Sequence, residues 1–157
     1  MCEINVVVSS IKNKKKIIKS MNDKIIHRGP DAEGYYVDDY VALGQRRLSI
    51  IDLEGGVQPM YNEDKSLVIV FNGEIYNYQE LKSELTNHIF STNSDTEVLI
   101  HGYEEWGVEL LNKLRGMFSF CLYDIENNEM LLARDHFGIK PLYYYKGEEE
   151  LLSGGLL

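Results

Sequence analysis

Strand-favouring and helix-favouring stretches are segregated along this chain, and that segregation constrains its fold more than any other feature. β-Branched and aromatic runs come first. They are Ile4–Ser9, the pair Tyr35–Val37 and Val41–Leu43 around an Asp38-Asp39 turn, and Leu67–Phe71, which stops at the turn signal Asn72-Gly73. Helical spacing then takes over at Gln79–Leu85, from Ser94 to Gly107, and at Val108–Leu114. Ser94-Asp95-Thr96-Glu97 has the form of a capping box, with Ser94 at N-cap and Glu97 at N3. Strand character returns at Met117–Asp124 and Met130–Ala133, a hairpin across Glu126-Asn127-Asn128, and at Leu142–Tyr145 as the last strong strand. A Lys-rich helix from about Lys12 to Asp23 interrupts the first strand group, His27–Asp31 reads as loop, and the apolar run Leu48–Leu53 breaks at Gly55-Gly56. Strands, then helices, then strands favour an α+β fold with mainly antiparallel pairing over an alternating βαβ fold. With 157 residues and no internal repeat, linker or composition break, a single domain over residues 1–157 is expected.

Charge and cysteine content exclude several functions. The net charge of −9 opposes binding to nucleic acid or to an anionic membrane surface. The one lysine cluster, Lys12 with Lys14 to Lys16, reads as a solvated helix face. Two cysteines are too few for a disulfide scaffold, no apolar run reaches the ~18 residues of a spanning helix, and the N-terminal segment lacks the pattern of a signal peptide. A cytoplasmic protein with reduced thiols is expected. His27, His88, His101 and His136 show no metal-ligand spacing along the chain, so no metal site is expected. Neither a Gly-x-Ser-x-Gly elbow nor a Gly-x4-Gly-Lys phosphate loop occurs. Cys121 reads as a small core residue and Tyr143–Tyr145 as strand packing.

Cys2 stands out. Removal of the initiator Met would place its thiol and a free α-amine on the same residue, and such an amine can serve as general base for its own side-chain nucleophile. The reference pKa values, about 8 for the amine and about 8.5 for the thiol, suit that exchange.

Several further segments fall into an ordered set with Cys2: Arg28-Gly29-Pro30-Asp31, Arg46-Arg47-Leu48-Ser49-Ile50-Ile51-Asp52, Asn72-Gly73-Glu74-Ile75-Tyr76-Asn77, Ser94-Asp95-Thr96-Glu97, and Arg134-Asp135 with Gly138-Ile139-Lys140-Pro141-Leu142-Tyr143. In this order and spacing the chain resembles the glutaminase domain of glutamine-dependent asparagine synthetases, a class II glutamine amidotransferase, from Met1 to about Tyr145. The resemblance implies a four-layer α/β/β/α sandwich of two antiparallel sheets, of the N-terminal-nucleophile hydrolase type. It also implies hydrolysis of glutamine to glutamate and ammonia, with ammonia passing to a synthetase domain that adenylates aspartate using ATP and Mg²⁺. Mapped onto this sequence, it makes Cys2 the nucleophile, with the Asn72 side-chain amide and the Gly73 backbone N–H as oxyanion donors. Arg47 would hold the glutamine α-carboxylate bidentately, Glu74 and Asp95 the α-ammonium, and the backbone of Leu48, Ile50 and Ile51 would line the pocket. Arg28 and Asp31 are expected to tie down the loop near Cys2.

The sequence departs from the family pattern at three places. Glu3 stands where the family usually has a small residue, and a carboxylate beside the nucleophile would raise the thiol pKa. Gln45 replaces a common His. After Tyr145 the usual continuation gives way to Gly147–Leu157, in which Leu151–Leu156 resembles the start of a pyrophosphate-binding loop. The expectation is a glutaminase half that needs no cofactor itself, with glutamine as substrate, a separate synthetase chain as a candidate partner and a homodimer as a candidate assembly. The alternatives are an idle remnant or interaction module, and an ammonia-supplying subunit for a different acceptor.

Overall fold

The structure is a computed structural model that describes residues 2–10, 12–48 and 56–155. Two antiparallel sheets stack face to face. The first has the order β2-β3-β1-β9-β8, from β1 (Glu3–Ser9), β2 (Ala32–Val37), β3 (Val41–Arg47), β8 (Tyr143–Lys146) and β9 (Glu150–Gly154). The second has the order β4-β5-β6-β7, from β4 (Met60–Tyr61), β5 (Leu67–Ile75), β6 (Gly116–Asp124) and β7 (Glu129–Arg134). Helix α1 (Lys14–Lys24) packs on the first sheet, while α2 (Tyr78–Glu84) and α3 (Asp95–Trp106) pack on the second, with a 3₁₀ turn and the short α4 (Leu110–Lys113) behind α3.

Strand alternation produces the four layers. Successive side chains point to opposite faces, so one strand can feed two cores. On β5, Leu67, Ile69 and Phe71 face α2 and α3, together with Phe118, Phe120 and Leu122 of β6. The intervening Val68 and Val70, with Cys121 and Tyr123, face the other sheet and meet Ile4, Val6, Val41 and Leu43. Val7 and Ala42 point the opposite way and pack on Ile18 of α1. These three apolar layers separate helix, sheet, sheet and helix, as in the expected α/β/β/α sandwich. Cys121 lies fully inside the middle layer, where burial pushes its thiol pKa up.

Local signals mostly hold, with instructive exceptions. Asp38 Oδ1 accepts from the backbone N–H groups of Tyr40 and Val41 at 2.7 and 2.6 Å, closing the β2–β3 turn. Ser94 caps α3, its Oγ accepting from Thr96 N–H at 3.2 Å, and Gly107, at φ +56°, ends the same helix. Only half of the capping box forms. Rather than reaching back to Ser94, the Glu97 carboxylate accepts from Ser91 N–H at 2.6 Å and from Thr92 N–H and Oγ1–H at 2.7 and 2.6 Å. Lys14 is no part of a solvated face. It is buried, and its Nζ donates to the Asp39 carbonyl at 2.6 Å, whereas Lys15 and Lys16 are exposed.

Two strand boundaries differ from expectation. Asn72-Gly73 is not a turn: β5 runs on to Ile75, with Asn72 opposite Ser119, Gly73 opposite Phe118 and Ile75 opposite Gly116. The glycine answers to a close approach instead. Its φ is +155°, and a Cβ there would lie 2.2 Å from the Met117 carbonyl oxygen. Nor is β8 the last strand. Glu150–Gly154 forms β9, which fills the gap between β1 and β8, so over its described residues the Leu151–Leu156 segment is sheet rather than loop in this chain.

Candidate active site

Register brings the candidate residues to one end of the sandwich. β1 pairs with β3 so that Glu3 opposes Arg46. Extending that register by one residue sets Cys2 against Arg47, and Cys2 keeps the parity of Ile4 and Val6, which face the second sheet. On that second sheet, Asn72 continues the inward face of Val68 and Val70. The N-terminus of α3 arrives beside them because the Asp95 carboxylate accepts from Ile75 N–H at 2.9 Å. A cavity of about 470 Å³ opens where these elements meet, and Cys2, Arg47, Leu48, Asn72, Gly73, Glu74 and Asp95 all line it. Ile50 and Ile51 lie outside the described residues.

The lining residues carry different chemistry. The half-buried Cys2 lies close to Leu48, its Sγ 3.8 Å from the Leu48 carbonyl oxygen, and the Asn72 amide lines the same cavity. Arg47 is 8% exposed, and its guanidinium lies against Gly56, where a Cβ would come within 2.8 Å of Nη2. Glu74 and Asp95 supply the opposing charge. Burial raises the Asp95 pKa above its ordinary 3.8 and the nearby Glu74 charge adds to the rise, while the N–H groups of Ile75 and Thr96 oppose it. The arrangement offers a thiol and amide donors at one place, a cation for a carboxylate, and two carboxylates for an ammonium.

Glu3 proves to be a structural partner of the site. It is fully buried, and its Oε2 accepts from Arg28 Nε and Nη2, both at 3.1 Å. Its Oε1 accepts from Asn72 Nδ2 at 3.3 Å. Burial pushes the Glu3 pKa up from 4.5, with the Arg28 charge and hydrogen bonds and the more distant Lys140 opposing the rise. Arg28 thus ties its loop to the start of β1, and Asp31 N–H donates to the Arg47 carbonyl at 3.0 Å.

Sequence reading missed several lining residues. Gln58 spans two elements, with Oε1 accepting from Phe71 N–H at 2.6 Å and Nε2 donating to Thr96 Oγ1 at 3.4 Å. Lys140 is buried at the cavity wall, its backbone N–H donating to Asp135 Oδ2 at 3.0 Å. Tyr78, Asn93, Thr96 and Met117 also line the cavity. Membership of a recognised motif was a signal available for Thr96 and Lys140, and position beside one for Tyr78 and Asn93, while Gln58 and Met117 carried neither.

The model of the glutamine amidotransferase domain matches residues 1–155. The chain is 52% identical over 136 residues to glutamine-hydrolyzing asparagine synthetase 2 of Bacillus subtilis (strain 168), a match covering 87% of this chain and 18% of that protein. It is 46% identical to the asparagine synthetase of Zea mays over 140 residues, 89% of this chain and 24% of the other. With asparagine synthetase B of Escherichia coli (strain K12) it shares 43% identity over 148 residues, 91% of this chain and 26% of the other. The chain therefore spans about a quarter or less of the length of these relatives. Among solved structures, glutamine phosphoribosylpyrophosphate amidotransferase from B. subtilis superposes with a TM-score of 0.82 and 22% identity, covering 98% of this chain and 42% of that one, so the two share a fold. On the strength of the family match over nearly its whole length, this chain belongs to the glutamine amidotransferase domain family.

Proposed function

We propose that this chain is the glutaminase half of an asparagine synthetase, releasing ammonia from glutamine through Cys2. The observation that carries the reading is the convergence of the Cys2 thiol, the Asn72 amide, Arg47 and the Glu74–Asp95 pair on one cavity. Free glutamine is a zwitterion with a side-chain amide, and these groups are complementary to each of its parts. Arg47 takes the α-carboxylate and Glu74 with Asp95 the α-ammonium, leaving the amide carbon near Cys2.

With Met1 removed, the Cys2 amine accepts the thiol proton and the thiolate adds to the amide carbon. Negative charge develops on the amide oxygen, where the Asn72 side chain and Gly73 N–H donate to it. The ammonium form of the Cys2 amine then returns the proton to the leaving nitrogen. Ammonia departs, a thioester remains, and water attacks it to give glutamate and free thiol. No cofactor takes part in these steps. The acceptor reaction, amidation of aspartate with ATP and Mg²⁺, belongs to a synthetase domain or a separate synthetase chain, in a cytoplasmic setting where the thiol stays reduced.

An electrophilic glutamine analogue tests the reading. Intact mass after incubation should show one adduct, on Cys2, and excess glutamine should protect against it. Labelling at Cys121, or labelling indifferent to glutamine, would overturn the assignment.

A further inference from the structure

His88 and His101 are far apart in sequence but adjacent in the fold. Their ring centroids are 4.9 Å apart, His88 on the connection from α2 to α3 and His101 in the middle of α3. Glu104, one turn further along α3, lies between them. Its Oε2 is 2.7 Å from His101 Nδ1 and 3.5 Å from His88 Nδ1. Its other oxygen is fixed by Asn62, whose Nδ2 donates to Oε1 at 2.9 Å.

The remaining ring nitrogens also face carboxylates. His88 Nε2 is 3.2 Å from Glu105 Oε2. His101 Nε2 is 3.8 Å from both Glu63 Oε1 and Glu97 Oε1 and makes no hydrogen bond, although its side chain is only 2% exposed. Among the described residues, no Lys or Arg forms an ion pair with Glu63, Glu97, Glu104 or Glu105. A neutral imidazole has one N–H for two nitrogens. His101 Nδ1 lies within hydrogen-bond distance of Glu104 Oε2, which leaves the buried His101 Nε2 as the ring nitrogen without a partner. Two imidazole rings gathered on one carboxylate, with no Lys or Arg ion-paired to the surrounding glutamates among the described residues, suit a bound cation.

We propose that His88, His101 and Glu104 form a binding site for a divalent transition ion of the zinc class. Three donors within 4.8 Å of one another, two imidazole nitrogens and a carboxylate oxygen, match the donor set that such ions take, with a fourth position open to water on the partly exposed Glu104 side. Part of the supporting surround is present as well: Glu105 is at hydrogen-bond distance behind His88 and Asn62 behind Glu104, as such partners orient ligands in metal sites, while Glu63 and Glu97 stand 3.8 Å from His101 Nε2 without a hydrogen bond. Histidine spacing along the chain gave no sign of the site because folding of the α2–α3 connection creates it. A bound ion would join that connection to α3. It requires nothing of the proposed glutaminase chemistry, since Cys2 is not a ligand.

The test uses the untagged, chelator-treated full chain carrying Cys2→Ala, so that the thiol does not compete. Calorimetric titration with ZnCl₂ should give one equivalent bound and a raised Tm. His88→Ala and Glu104→Gln, both at partly exposed positions, should each weaken binding by at least about tenfold, while His27→Ala and His136→Ala leave it unchanged. In the same Cys2→Ala chain, Co²⁺ should give visible bands of a nitrogen–oxygen site without a thiolate charge-transfer band. Absence of zinc binding, binding indifferent to His88→Ala and Glu104→Gln, or a thiolate band would overturn the proposal.

Discussion

Glu3 Oε1 accepts a hydrogen bond from Asn72 Nδ2 at 3.3 Å, across the gap between the two sheets. The bond leaves the second amide hydrogen of Asn72 for the cavity and fixes the plane in which it lies. A residue that looked from sequence like an obstacle beside the nucleophile is thus the support of its neighbouring donor. On the proposed mechanism, Glu3→Gly should lower kcat by about tenfold or more while KM moves little, because the proposed oxyanion donor loses its orientation but the proposed partners of the substrate's charged ends remain. It should also cost about 2–3 kcal/mol of stability, since Arg28 loses its carboxylate. Steady-state kinetics with urea unfolding checks both, and a rise in kcat would show that Glu3 restrains the site.

The raised pKa of Glu3 has a pH signature. In the folded protein burial holds its proton more tightly than in the unfolded chain, where the ordinary value is 4.5. The associated stability is present below that value and declines as pH rises through the higher folded pKa. Asp95 is shifted in the same sense from 3.8. Urea midpoints of Glu3→Gln should therefore decline less across that range than those of the unsubstituted chain, with Asp95 accounting for part of what remains.

Substrate affinity should follow Arg47. Arg47→Lys keeps the charge but loses the planar fork, so KM for glutamine should rise about tenfold or more with a smaller change in kcat. Gly56→Ala should act in the same direction, because its Cβ would come within 2.8 Å of Arg47 Nη2 and displace the guanidinium. An unchanged KM in both variants would remove Arg47 from substrate binding.

Asp135 holds the connection after β7. Its carboxylate accepts from the backbone N–H groups of Phe118, Phe137, Ile139 and Lys140 at 3.0–3.1 Å. Burial alone would raise its pKa, but those four donors outweigh it and hold the group below its ordinary 3.8. Asp135→Ala should cost about 3 kcal/mol by leaving donors unpaired, and Asp135→Asn less. The contribution is present above pH 3.8 and lost as pH falls through the lower folded pKa, so acid unfolding of Asp135→Ala should lack that component.

Much of this was legible in the sequence, for physical reasons. The continuous apolar run Leu67–Phe71 and the apolar stretch Met117–Asp124 mark buried strands, and the separation of helical from strand segments marks an α+β fold, whereas the two cores those strands feed show only in the structure. The motifs carried the candidate residues, and the register of β1 on β3 brings two of them together. What stayed hidden depends on tertiary contact. Asn72-Gly73 reads as a turn because the close approach of the Met117 carbonyl, which requires the glycine, is invisible in sequence. Strand β9 contains Ser153 and Gly154, poor strand formers held by pairing with β1 and β8. Glu97 satisfies the Ser91–Thr92 backbone rather than Ser94, a choice set by the path of the α2–α3 connection. The same connection creates the His88–His101 contact, which no spacing rule anticipates.

The central claim is that Cys2 is the nucleophile of a glutaminase. Glutamate release from glutamine, measured on protein whose N-terminus is confirmed as Cys2 by intact mass, tests it most directly. The account predicts turnover in the unsubstituted chain and none in Cys2→Ala, with the variant still folded by circular dichroism. Undiminished turnover in Cys2→Ala, or none in the unsubstituted chain with a free Cys2 amine, would contradict it.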